Sequence, residues 1–323
     1  MILSIDLGGT KLAAALLDTK ALKAIDSGAF DRNGQTSIKA AIKARRELRT
    51  PRDKDPRMLR GTLEELLKPF KGQAKRFGIA SAGIIDAGRM MAINPENMGG
   101  LLGFNLLREL ESITGLSGIA INDAQAAAWA EYKLSYKPLN FAFFTVSTGI
   151  GAGLVIDGKL QTRLAGHLGH TAIDINGPLC GCGRQGCAEV LASGKALEDR
   201  ASGSIKALGT KEIFRRYHKD QAAKALIDES ARVFAQLLAN AKASLDIDLA
   251  VLGGGLGLAS LAADLGASKA FAKDLAEAKE LSYITLVQKQ LELLPIVYQL
   301  SLKQAVCGSD AGLIGAALLS LNS

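Results

Sequence analysis

This chain has little histidine and little cysteine: three and four residues respectively among 323. Four cysteines are too few to staple a chain of this length, so a disulfide scaffold is excluded and the cytoplasm is the expected compartment. No run of about 18 apolar residues appears, which leaves no transmembrane helix to expect. The opening MILSIDLGGTK lacks the basic n-region and long apolar h-region of a signal peptide. Prolines number seven against thirty-five glycines, a balance that points to tight turns and close backbone approach and not to disorder. Acidic residues are outnumbered, and the net charge is +7. Lys39–Arg60 holds nine Lys/Arg and three acids, nearly the whole excess. It contains no aromatic residue for base stacking and no helix-turn-helix spacing. It reads as a solvated helix and loop able to steer an anionic ligand, and neither a nucleic-acid nor a membrane partner is expected.

What is present is an alternation of strands and helices, the pattern of an α/β protein. ILSIDLGGTKLAAALLD reads as a β-hairpin, and FAFFTVSTGIGAGLVIDGKL from Phe141 repeats its design with a turn at Thr148-Gly149-Ile150-Gly151. Between them come helices over Leu59–Leu67 and Leu101–Thr114, the strand FGIASAGII, and a strand GIAIND running straight into the helix AQAAAWAEYKL. Ala222–Leu245 is a long helix, DLAVLGGGLG is a strand ending in a glycine loop, and AGLIGAALLSL is a small-residue helix.

Three glycine loops follow apolar strands. In the first, Gly8 and Gly9 would let backbone N–H groups approach phosphate oxygens, with Thr10 and Lys11 adding a hydroxyl and a cation. Asp6, at the strand end, has the chemistry to hold a hydrated Mg²⁺. A plain hairpin turn is the alternative for this loop alone. Ser147–Gly151, with Thr148, Gly149 and Gly151, repeats the phosphate pattern, and the loop at Gly254 and Gly255 would admit the flat face of a base. Together they outline a cleft at the carboxyl ends of strands. Asp123, where GIAIND meets its helix, reads locally either as an N-cap, worth about 1 kcal/mol, or as a general base for a hydroxyl; local sequence favours the cap.

The scarce residues are crowded. Residues 167–187, HLGHTAIDINGPLCGCGRQGC, hold two of the three histidines and three of the four cysteines. Cys180, Cys182 and Cys187 with a histidine make a tetrahedral Cys₃His zinc set, and glycines at 181, 183 and 186 let the chain wrap an ion. A disulfide would strand one thiol, and redox motifs use CxxC where this is CxC. His170 is the better histidine ligand. Four protein ligands close the coordination sphere, so such a zinc is structural.

IDLGGTK, IASAGIID, TVSTGIGAG, LAGHLGH, GPLCGCGRQGCAEVLASG, VLGGGLGL and DAGLIGAALL together resemble the ROK family (repressor, open reading frame, kinase), from Ile2 to about Leu318. CGCGxxGCxE preceded by GHxxxxxxxxxC is the specific part. MAINPENMGGLLGF followed by IAINDAQAAAWAE is similar to the branch acting on N-acetylmannosamine. The resemblance implies the two-lobed actin-like ATPase fold with an inter-lobe cleft. It implies an α/β lobe over residues 1–120, with a C-terminal helix over 308–323 packing back on it. It implies a larger α/β lobe over 121–307 that carries a zinc-binding loop at 167–189. It further implies ATP with Mg²⁺, transfer of the γ-phosphoryl group to a sugar 6-hydroxyl, a homodimer, and Asp123 as the base. Asn97, Asn122, His170 and Glu189 align with ligands of sugar hydroxyls. His167 stands where ROK glucokinases carry glutamate, which implies a shift toward an acetamido sugar; simple packing is the bland alternative. The competing expectations are a glucokinase or N-acetylglucosamine kinase, and a sugar-responsive regulator. The regulator is disfavoured because Asp6 arrives with no helix-turn-helix module before it.

Overall fold

A computed structural model of the chain describes residues 1–29, 35–53, 55–92, 99–135, 137–162, 166–260 and 281–321. They fall into two units. The first comprises Met1–Pro138, Gly153–Gly166 and Val306–Ser323, the second Leu139–Ala152 and His167–Ala305. Among the described residues, no helix is long and apolar enough to cross a membrane.

The first unit opens with the expected hairpin, β1 (Ile2–Leu7) against β2 (Lys11–Leu17), antiparallel. α1 (Thr19–Ser27) is capped by Asp18, whose carboxylate accepts from the Ala21 amide at 2.9 Å, and it ends at Gly28 with φ 84°. α2 (Gln35–Ala41) leads into β3 (Ile42–Arg49), which pairs antiparallel with β2. α3 (Pro56–Leu67) starts at an Asp55 cap with Pro56 in its first turn. β4 (Arg76–Ser81) runs parallel to β1; β5 (Ile84–Asp86) and β6 (Arg89–Met91) form a separate ribbon. α4 (Leu106–Thr114) and β7 (Gly118–Asn122) follow, and β7 closes a sheet of order β3-β2-β1-β4-β7. The strand GIAIND then passes without a loop into α5 (Asp123–Lys133).

Period-2 alternation sorts β1 into two faces. Leu3, Ile5 and Leu7 join Leu59, Leu63, Leu66, Phe77, Ile79, Leu106 and Leu110 in one core, under α3 and α4. Each such fully buried side chain contributes roughly 1.5–3 kcal/mol. Ser4 and Asp6 face the other way, toward the C-terminal helix.

Two elements differ from the sequence expectation. The basic stretch reads as helix and loop, yet its middle is the edge strand β3, with Lys43, Arg45 and Glu47 on it. Its pairing with β2 is non-local and its charges hide the alternation; those same charges guard an open sheet edge against further pairing. The helix expected from Leu101 begins at Leu106, because the Asn105 side chain accepts from the Arg108 amide and caps it there.

In the second unit, β8 (Phe141–Val146) leads through a short turn into β9 (Ile150–Ile156). β9 runs on into the first unit, where Leu154–Ile156 pair antiparallel with β10 (Lys159–Gln161). α6 (Ala188–Ala192), α7 (Gly194–Arg200) and α8 (Thr210–Arg215) precede the long α9 (Gln221–Leu245), which Asp220 caps by accepting from Ala222 and Ala223. β11 (Leu249–Gly253) lies parallel between β8 and, beyond α10 (Tyr283–Glu292), β12 (Ser301–Gln304). Phe234 of α9 meets Phe144 of β8 edge-on, with ring centroids 5.4 Å apart. At the buried Ser230 hydroxyl, α9 is tied to α6 through the Ala192 carbonyl (2.9 Å) and to α10 through the Tyr283 hydroxyl (2.8 Å).

α11 (Ala311–Leu321) returns to the first unit and lies on α5 and β4. Ser4 Oγ donates to the Leu313 carbonyl at 2.6 Å, and Ser320 Oγ to that of Phe77 at 2.8 Å. The approach is backbone to backbone: a Cβ on Gly315 would overlap the Ala126 carbonyl of α5. Gly315→Ala is therefore expected to destabilise the protein by about 2–3 kcal/mol. Gly61→Ala, on a helical site with open space around it, is expected to stabilise it by ~0.5–1 kcal/mol. Chemical denaturation of the two variants side by side checks both signs.

Candidate active site and metal centre

Two carboxyls of the first unit, Asp6 and Asp123, are raised above the usual range, and the charge of one acts on the other. Asp6, at the end of β1, sits against α11, where only a glycine leaves room: a Cβ on Gly312 would lie 2.9 Å from Asp6 Oδ2. Burial pushes the Asp6 carboxyl up to about 7, and the charge of Asp123 adds to the rise, against the opposing pull of Lys11 and Arg45. Asp123 is likewise raised, chiefly by burial, while its bonds from the Ala124 amide (2.8 Å) and from Asn122 (3.1 Å) work the other way.

The N-cap of α5 is not Asp123, as the local sequence favours, but Asn122. The Asn122 Oδ1 accepts from the Gln125 amide at 3.1 Å, and its Nδ2 donates to the Gly83 carbonyl at 2.7 Å. Asp123 is thereby the first helical residue, with a carboxylate that capping does not consume. Asn122, expected to bind a sugar hydroxyl, commits its amide to these local bonds. Asn97 lies outside the described residues.

The first glycine turn closes when the Gly8 amide donates to the Lys11 carbonyl at 3.0 Å, and Thr50 braces it by donating its hydroxyl to the Gly8 carbonyl at 2.7 Å. Gly9 and Thr10 are exposed. Lys11 pairs with Glu47 of β3 at 2.8 Å. Beside the turn lies a cavity of about 230 Å³ lined in part by Gly8, Gly9, Thr50, Arg52 and Ser81. Thr50 and Arg52 carry no motif; a polar pair after a basic run is the only trace they leave in the sequence.

In the second unit the turn is tighter than its spacing suggests. It spans Ser147–Gly149, with the Ser147 amide donating to the Gly149 carbonyl at 2.9 Å, while Gly151 already belongs to β9. Thr148 is exposed at its tip. Gly149 has no room for a side chain because Glu189 occupies it: a Cβ there would fall 2.5 Å from Glu189 Oε2. That oxygen accepts from the Ile150 amide at 2.9 Å. The third loop folds back onto β8, the Leu256 and Gly257 amides donating to the Val146 carbonyl at 2.9 and 3.0 Å. Gly254, at φ 84°, makes that turn possible, and Gly255 is exposed. Thr148 and Gly255 share a cavity of about 480 Å³. Lys195, Glu198 and Thr210, which also line it, belong to no recognisable motif.

The candidate ligand atoms of His170, Cys180, Cys182 and Cys187 all lie within 4.8 Å of one another. His170 Nδ1 is 3.5 Å from Cys180 Sγ, and Cys182 Sγ is 3.6 Å from Cys187 Sγ. Burial, with two further thiols alongside, pushes Cys187 up to about 12, and burial raises Cys180 as well. Three thiols so placed resist ionising together unless a cation compensates them, and a Cys₃His donor set in this small a volume suits Zn²⁺. The loop's geometry serves the cluster: Gly186 at φ 61° passes so close to Asp174 that any Cβ would overlap its carbonyl. His170 Nδ1 also lies 4.0 Å from Glu189 Oε1, so a single carboxylate sits between the cluster and the Gly149 turn. His167 stacks beside His170 at 6.5 Å between centroids. Its Nε2 is buried with no hydrogen-bond partner among the described residues, and burial lowers its pKa.

The ROK family model matches residues 2–323. The chain belongs to the ROK family. Among curated ROK relatives it is 44% identical to an N-acetylmannosamine kinase of Escherichia coli, over 98% of this chain and 97% of that one. It is also 44% identical to one of Shigella flexneri, over 99% and 98%. Among solved structures it is similar to a ROK hexokinase from Thermus thermophilus, with a TM-score of 0.72 and 29% identity, covering 99% of this chain and 97% of that one. The fold is the actin-like ATPase fold of ROK sugar kinases.

Two outcomes are expected of this ROK chain. The raised carboxyl of Asp6 favours the folded state when protonated, a contribution full below about pH 4 and lost as pH rises through about 7. In magnesium-free buffer, Asp6→Asn should therefore gain stability on the parent as pH climbs from about 4 to about 7, by roughly 1 kcal/mol for each pH unit. Denaturation at each pH reads this difference. Elemental analysis should find one zinc per chain. Cys180→Ser should lose it and lower the Tm by roughly 5 °C or more.

Proposed function

We propose that this protein is an ATP-dependent kinase that phosphorylates the 6-hydroxyl of N-acetyl-D-mannosamine. The observation that carries this reading is the 44% identity, over nearly the whole chain, to N-acetylmannosamine kinases. In this reading Asp123 accepts the proton of the 6-hydroxyl as that oxygen attacks the γ-phosphorus. The bond from the γ-phosphorus to its bridging oxygen breaks, ADP carries away the electron pair, and Asp123 returns the proton to solvent. A carboxylate raised by burial is a stronger base than a free one, and its release from capping supports the role.

In this reading the turn at Gly8–Thr10, with Lys11, and the turn at Ser147–Gly149, with Thr148, are each phosphate-binding turns of their own unit, and the loop at Gly254 and Gly255 is suited to the nucleoside. When bound, Mg²⁺ would offset charge on the transferring phosphoryl group, and Asp6 is the residue suited to hold it. Zinc on His170, Cys180, Cys182 and Cys187 would fix the loop that carries His167, His170 and Glu189, the groups assigned to the sugar. The unpartnered Nε2 of His167 supports a contact with the acetamido sugar, since a buried polar nitrogen costs about 1–3 kcal/mol until something pairs with it.

Coupled assay of ADP release tests this reading with N-acetylmannosamine, N-acetylglucosamine and glucose in parallel. N-acetylmannosamine is expected to lead in kcat/KM by about tenfold or more, and Asp123→Asn to lower kcat by about 10²–10⁴. A lead for glucose would overturn the assignment of His167. A chain inert toward all three sugars would overturn the kinase.

A further inference from the structure

The 480 Å³ cavity of the second unit contains a carboxylate that the phosphoryl-transfer chemistry does not need. α7 begins directly on the phosphate turn: the Gly194 amide donates to the Ser147 carbonyl at 2.7 Å, and the Lys195 amide to that of Thr148 at 3.2 Å. Glu198 follows four residues after Gly194, about one helical turn or 5–6 Å farther along the cavity wall. Its Oε1 is clamped, accepting from the Thr210 amide at 2.9 Å and lying 2.9 Å from the Thr210 hydroxyl. That hydroxyl in turn is 2.9 Å from the Gly194 carbonyl, so the clamp is anchored to the start of α7. The clamp engages one carboxylate oxygen, Oε1, on a residue that lines the cavity.

A fixed carboxylate in the pocket of a polyanionic ligand repels it, unless the carboxylate stands clear of the phosphates and meets a hydrogen-bond donor. It can only accept, so its partner must donate. One helical turn from a phosphate turn is the place of the group bonded to the phosphates, the ribose, whose two hydroxyls are donors. Phe214 and Leu258, which also line the cavity, supply apolar surface suited to the base. We propose that Glu198, held by Thr210, accepts a hydrogen bond from a ribose hydroxyl of the nucleotide and makes the enzyme select ribonucleotides over deoxyribonucleotides. This rests on the kinase reading above.

The experiment compares ATP with 2′-deoxy-ATP, 3′-deoxy-ATP and the triphosphate of purine riboside, which lacks the 6-amino group, in the parent enzyme and in Glu198→Ala. The parent should discriminate against at least one deoxy analogue by about tenfold or more in kcat/KM, and Glu198→Ala should bring that ratio to within about twofold. Discrimination against purine riboside triphosphate should be equal in both. Calorimetric titration with ADP and the deoxy-ADPs should repeat the pattern without any sugar. That result, in a protein inert toward every sugar, would leave the ribose contact standing while the kinase reading fell. The proposal is overturned if the parent treats the deoxy analogues like ATP, if the discrimination persists in Glu198→Ala, or if the substitution instead erases selection at the base.

Discussion

The site in the first unit depends on how closely two helix backbones approach. α5 and α11 meet at Ala126 and Gly315, where no side chain intervenes, and the same small-residue face of α11 gives Asp6 its place against Gly312. Larger residues would pack well in isolation but would push α11 away from the sheet. The same packing bears on the electrostatics: burial raises both carboxyls, and the charge of Asp123 raises Asp6 further. Packing of alanine and glycine and tuning of two acids are thus one arrangement.

In the second unit the corresponding constraint is a carboxylate, Glu189, wedged between the Cys₃His cluster and the Gly149 turn. It fills the space a Gly149 side chain would take and holds the Ile150 amide. Order in the Cys₃His loop and order in the Gly149 turn therefore share one residue, so the proposed zinc would order that turn as well as its own loop.

The middle of the basic stretch that supplies nearly all the net charge forms an edge strand laced with ion pairs: Arg45 to Glu47 and Asp310, Arg46 to Glu65, and Glu47 also to Lys11 of β2. It lends its field to the Asp6 neighbourhood, where Arg45 lowers the carboxyl that burial raises, and it protects an open sheet edge.

Local spacing alone was enough for the two hairpins, the glycine loops at their turns, the long helix after Asp220 and the membership of the Cys₃His cluster. Each is written within a few residues: alternation of apolar side chains, glycine where a turn needs it, donors close together in the chain. Contacts between distant segments settled the remainder. Asn122 and not Asp123 caps α5 because Gly83, on a neighbouring segment, holds the Asn122 amide in place. A charged run became β3 because β2 offered an edge to pair with. Thr210 fixes Glu198 across a loop that carries no motif. Ser4 binds Leu313 across 309 residues of chain, and no local pattern can announce a partner that distant. Local propensity writes the elements; only the folded chain chooses which polar atoms remain unpaired and so available for chemistry.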